Sequence, residues 1–170
     1  MTMRDIVETA IDQLCGAFDR HGYNPTPIID LGVLVVNADG TVDEKEREVL
    51  LDLFQTLLDT KLSAEVVDHL VTASVQVAEA AGAESRAKLI AAILRDCDAV
   101  EPGILVALAV AHASEGFSKD ERVVIERIAD AAELPRTRLE ELIAKVTAHA
   151  NGDPVSMRSL LAAGPARTGT

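Results

Sequence analysis

Leu31-Gly32-Val33-Leu34-Val35-Val36-Asn37-Ala38-Asp39-Gly40 is an apolar run that stops on an acid and a glycine. The pattern returns as Ala107-Leu108-Ala109-Val110-Ala111-His112-Ala113-Ser114-Glu115-Gly116. With one residue deleted after the second glycine, Val42-Asp43-Glu44-Lys45-Glu46-Arg47-Glu48-Val49-Leu50 aligns with Phe117-Ser118-Lys119-Asp120-Glu121-Arg122-Val123-Val124-Ile125. Each copy reads as a buried helix, an acid-Gly turn, and an amphipathic helix whose first turn is acidic. Two such units predict an all-α fold with a pseudo-twofold arrangement, in which the Ile28 and Pro102 helices form the central pair.

Working outward, apolar residues recur at helical spacing and no stretch alternates with period two. The spacing predicts helices over 3–20, 28–36, 43–59, 63–82, 84–98, a sixth with Pro102 in its first turn ending at Ser114, 118–133, and one from Pro135 or Thr137 to Ala150. That is seven to eight helices in a single domain, residues 1–150. The stretch 151–170, with Gly152, Pro154, Gly164, Pro165 and Gly169, reads as a flexible C-terminal tail.

The 170 residues suffice for one domain with a proper core. Hydrophobic residues make up 48% and aromatic ones only 2%, so that core is aliphatic. The net charge of −12 repels phosphate backbones, and no basic stripe with interleaved aromatics appears, so no nucleic-acid partner is expected. Cys15 and Cys97 lie in helical patterns without metal or redox spacing and read as small buried residues of a reducing compartment. No apolar run approaches the ~20 residues of a spanning helix, and the start resembles no signal peptide. A soluble, cytoplasmic protein without direct membrane insertion is expected.

The chemistry-bearing residues gather at the two turns: Asp39, Asp43 and Glu46 at the first, Glu115 and Glu121 at the second. Glu46 and Glu121 fall at the edge of a buried stripe. Were the turns to meet, their carboxylates would converge as oxygen ligands for a hard divalent cation, calcium favoured and magnesium acceptable. Helix capping accounts for part of the same pattern, since Asp43 with Glu46 and Ser118 with Glu121 are each spaced as a capping box. Both readings stay open on residue types alone. In an EF-hand register with Gly40 sixth, Asn37, Asp39, Val42 and Glu46 take positions three, five, eight and twelve, but Val35 occupies the first, where an acid is needed. The second copy departs further, with Ala111 first and Arg122 twelfth. His112 reads as a core-edge residue. No nucleophile elbow and no phosphate-binding glycine loop is present, so no catalytic residue and no organic cofactor are assigned.

At these turns the sequence resembles the TerB (tellurite-resistance protein B) family, including the TerB-like domain at the start of the DjlA membrane co-chaperones. Ala38-Asp39-Gly40 with Glu46, Ser114-Glu115-Gly116 with Glu121, and the Ile125-Glu126-Arg127-Ile128-Ala129-Asp130-Ala131-Ala132-Glu133-Leu134 ending carry the resemblance, over roughly 27–143. It implies an all-α fold, a role in tellurite or general stress response, and a metal such as calcium held by Asp39, Asp43, Glu46, Glu115 and Glu121. A protein partner in a stress-response assembly, one associated with a membrane, is expected to go with it. A purely structural, co-chaperone-like helical adaptor is the rival expectation, and a metal-dependent hydrolase the third.

Overall fold

Pro27 lies in the first turn of the helix that the first apolar run becomes, where its missing N–H costs nothing. The computed structural model describes residues 3–39, 42–59, 61–114 and 117–152. Among them are α1 (Met3–Arg20), α2 (Thr26–Val36), a single-turn 3-10 helix η1 (Asn37–Asp39), α3 (Glu44–Leu57), α4 (Ala64–Ala81), α5 (Ala83–Asp96), α6 (Val100–Ser114), α7 (Lys119–Ala131) and α8 (Arg136–Gly152). No strand occurs among the described residues. The all-α expectation holds, and the expected caps Asp43, Ser63 and Ser118 each accept a hydrogen bond from their helix's N3 amide. The element not anticipated is η1, which tightens the start of the first acidic turn.

From Ile28 to Val36 every residue of α2 is buried except Asp30. Helix α6 is nearly as enclosed, with Gly103, Ile104, Val106 to Ala111 and Ala113 buried. These two pack on each other, as expected of the two most apolar helices. Around them α4, α5, α7 and α3 cover α2, while α1, α8 and α7 cover α6. An apolar helix can persist only with such cover on all sides. Two glycines permit the closest approaches. A Cβ at Gly32 would stand 2.5 Å from Phe54 Cζ, and one at Gly103 2.7 Å from Leu94 Cδ1.

Helix ends are satisfied locally. After α5, Ala99 N–H donates to Leu94 O and Asp98 N–H to Arg95 O, with Asp98 left-handed at φ 52°. After α7 the same pair of bonds runs from Leu134 to Ala129 and from Glu133 to Asp130, with Glu133 at φ 62°. Both are Schellman ends, usually built on glycine. Gly82, at φ 87°, is simultaneously the C-cap of α4 and the N-cap of α5. Among the described residues no helix is long and apolar enough to cross a membrane.

Candidate functional site: the two acidic turns

The second residues of both pairs do what their spacing predicts. Asp43 Oδ1 accepts from Glu46 N–H at 2.7 Å while Glu46 Oε1 accepts from Asp43 N–H at 3.1 Å. At α7, Ser118 Oγ accepts from Glu121 N–H at 3.1 Å and Glu121 Oε1 accepts from Ser118 N–H at 2.8 Å. Each box satisfies two backbone donors that the first helical turn would leave open. Burial separates the pair: Glu121 is only 7% exposed, whereas Glu46 is half-buried and Asp43 exposed.

The backbone of Asp39 closes η1, and η1 packs against α7, the helix that follows the second turn. The Asp39 side chain, Gly40, Thr41, Glu115 and Gly116 lie outside the described residues, so the expected convergence on Asp39 and Glu115 falls there too. Among the described residues no three His, Cys, Asp or Glu side chains gather around a common point suited to a metal. The donors that are described, the carboxylates of Asp43, Glu46 and Glu121, offer oxygen alone. That set fits a hard cation of the calcium or magnesium kind and not a thiophilic one.

Asn37 adds an oxygen that the sequence reading did not place in the site. It is the C-cap of α2, its own N–H donating to Val33 O and Val35 O. The residue is 5% exposed, and its Oδ1 is buried with no hydrogen-bond partner. A buried, unmatched carbonyl costs about 1–3 kcal/mol, so its persistence calls for an explanation. Its third position in the EF-hand register was the one sequence signal available.

His112, on the last turn of α6, is the core-edge residue expected. Its ring lies 5.3 Å from that of Phe117, Nε2 is buried without a partner, and burial holds its pKa below the usual histidine value. The other histidines are spoken for by their own helices: His21 Nδ1 meets Ala17 O and His149 Nδ1 meets Lys145 O, both at 2.9 Å, and His69 lies near Glu65. Cys97 is buried as expected. Cys15 corrects the sequence reading. It stands on the flank of the α1 stripe, half-buried, in an open groove of about 510 Å³ with Asp12, Asp19, Tyr23 and Lys61. Burial pushes its pKa up, against the lowering effect of Lys61.

Further ion pairs hold helices α6, α7 and α8 to one another. Arg122 joins Glu126 and Glu140, Arg136 lies 3.0 Å from both Glu126 and Asp130, and Arg138 joins Glu101 and Glu141. Arg122–Glu140 and the two Arg136 pairs link α8 to α7, Arg138–Glu101 links α8 to α6, and Arg122–Glu126 and Arg138–Glu141 lie within one helix.

Among the described residues six α-helices surround the buried pair α2 and α6, each of which runs toward an acid-bearing turn and a capped helix, and together they define a helical domain without a described catalytic constellation. The chain belongs to the TerB family: it matches the family described as Tellurite resistance protein TerB over residues 27–144, which includes both turns. No curated protein and no solved structure matches it.

Proposed function

We propose that this TerB-family chain is a non-enzymatic, cation-responsive binding module of a cytoplasmic stress-response assembly, the tellurite response being the one its family is named for. One observation carries the reading: η1, which ends on Asp39, packs against the helix that opens beyond Glu115. Carboxylates brought together repel one another unless a cation intervenes. A divalent ion joining Asp39, Asp43, Glu46, Glu115 and Glu121, or some of them at each turn, would tie α2–α3 to α6–α7. Cation occupancy would then alter the surface offered to a protein partner at the membrane face. The two sequence copies support an approximate twofold relation between the units.

Thermal unfolding in calcium or magnesium tests it. Ligand that binds only the folded state stabilises by RT ln(1 + [L]/Kd), about 2.7 kcal/mol at a hundredfold excess over Kd. The native chain is expected to gain stability at millimolar calcium. Asp39→Asn and Glu115→Gln are expected to lose most of that gain and keep the helical signal. An unchanged Tm of the native protein in both ions rejects the cation reading. The structural adaptor then stands in its place, favoured by the capping boxes that already employ Glu46 and Glu121. A metal-dependent hydrolase has least support, since the described histidines are engaged by helix carbonyls, a glutamate or an aromatic ring.

A further inference from the structure

Helix α4 carries two apolar stripes, and the protein buries only one. Val67, Val71, Ser74 and Ala78 turn inward. Val66, Leu70, Ala73, Val77 and Ala80 follow one another at intervals of four, three, four and three residues, the spacing at which a helix pairs with another helix. On this second stripe Val66 and Val77 are each 42% exposed, Ala73 and Ala80 are exposed, and Leu70 is half-buried. On α1, by contrast, every exposed residue is polar. Valine is a poor helix former, so on a face that met only water it would weaken α4 without compensating burial. The seam is also uncharged. His69 and Gln76 border it, Asp68 is held by Arg47 of α3, and Glu65, Asp68 and Glu79 stand more than about a quarter turn from its midline. In a chain of net charge −12, a neutral face is where a second acidic chain can approach, and it offers no carboxylate to a basic one.

We propose that this seam of α4 is an interface between two copies of the chain, paired antiparallel about a twofold axis. The antiparallel register sets Val66 against Val77 of the second copy and Leu70 against its Ala73, the small alanine leaving room for the leucine. The same patch serves both copies, the closed symmetry commonest among oligomers. One seam of an 18-residue helix is a small interface, so association is weak and concentration-dependent. It needs no cation and stands apart from the reading above.

Sedimentation of the full chain over a range of concentrations decides it. The native mass is expected to rise from 18.1 kDa toward twice that value as concentration increases. Raising salt from about 0.05 M to about 0.5 M should strengthen association, because it screens repulsion between the two acidic chains and leaves a neutral seam untouched. Val77→Glu is expected to stay at the mass of one chain throughout. Val123→Glu, at a valine of α7 that is 41% exposed, is expected to associate as the native chain does. If Val77→Glu loses the helical signal, Ala73→Glu takes its place. Association that survives the seam variant, or is lost equally in Val123→Glu, overturns the proposal. So does a native chain that stays at 18.1 kDa. In that event, association gained by Leu160→Glu would assign the seam to the chain's own segment 153–170, and its absence to a helix of another protein.

Discussion

The Ser74 hydroxyl donates to Asp30 Oδ1 at 2.6 Å, across the interface between α4 and α2. Arg86 of α5 lies 3.2 Å from the same oxygen, and both charged side chains are less than one-fifth exposed. Asp30 is the one charge in the α2 run, and it is answered from two helices at once. Removing one partner of such a group strands the other in a poorly solvated place. Asp30→Ala is therefore expected to cost about 2 kcal/mol, read as a shift of the urea midpoint. A loss below about 0.5 kcal/mol, the range of ordinary surface changes, would show that the network contributes nothing.

The two capping boxes differ in burial, and their variants are expected to differ accordingly. Ser118→Ala should destabilise by about 1 kcal/mol without altering any calcium response. Glu121→Ala should cost more than Glu46→Ala, because Glu121 is enclosed and the Ser118 N–H it receives would lose its partner away from water. Equal losses in thermal unfolding would contradict this.

At Gly32 the question is space. An added methyl would stand 2.5 Å from Phe54 Cζ, and Phe54 is wholly buried, so the ring has nowhere to retreat. Gly32→Ala is expected to lose about 1–3 kcal/mol to overpacking, against a helix-propensity gain of roughly 1 kcal/mol. Adding Phe54→Leu to Gly32→Ala should cost less than the sum of the separate losses, a coupling that a double-mutant cycle measures.

His112 sets a pH dependence. Burial lowers its folded pKa below the ordinary histidine value of 6.5, so the unfolded chain binds the proton more readily. Its contribution is fully present above pH 6.5 and is lost as the pH falls toward the lower folded value. Urea midpoints at pH 7.5 and pH 5 should fall apart further in the native protein than in His112→Leu. The same slope in both would place the effect elsewhere.

Glu133 occupies the left-handed position that ends α7, where a side chain is strained and glycine is not. Glu133→Gly is expected to raise stability by about 0.5–1 kcal/mol, net of its exposed ion pair with Arg95. A lower Tm would show that the ion pair outweighs the strain.

Much of this architecture was legible along the chain. Helix α1 ends where its periodicity does, and Asp43, Ser63 and Ser118 act as the caps their type and position announce, because capping is decided within four residues. What escaped depends on partners far along the chain. Asp30 meets Ser74 and Arg86, 44 and 56 residues away. The burial of Asn37 arises from the tight η1 turn and from α7, which folds over it from the second copy. Cys15 sits one position off the buried stripe, a phase that helical spacing alone leaves undecided. Of the five candidate metal residues, capping made Asp43, Glu46 and Glu121 readable. Asp39 and Glu115 draw their proposed task from a meeting of two turns that spacing within one turn does not contain.

Gly82 alone separates α4 from α5, and its φ of 87° turns the chain between them. A Cβ there would meet no atom within 4 Å, so backbone conformation and not crowding reserves the position for glycine. Replacing it with alanine favours continuation of the helix, which would fuse residues 64–96 into one rod of about 50 Å. The α5 helix would then leave its place beside α7 and could be replaced only by the α5 of a second chain. Exchange of identical elements between copies is a low-cost route to dimers and a known hazard of hinge changes. The torsion at Gly82 is thus what folds α5 back beside the rest of the chain, and Gly82→Ala is expected to shift the elution of the protein on a sizing column toward a larger, intertwined species.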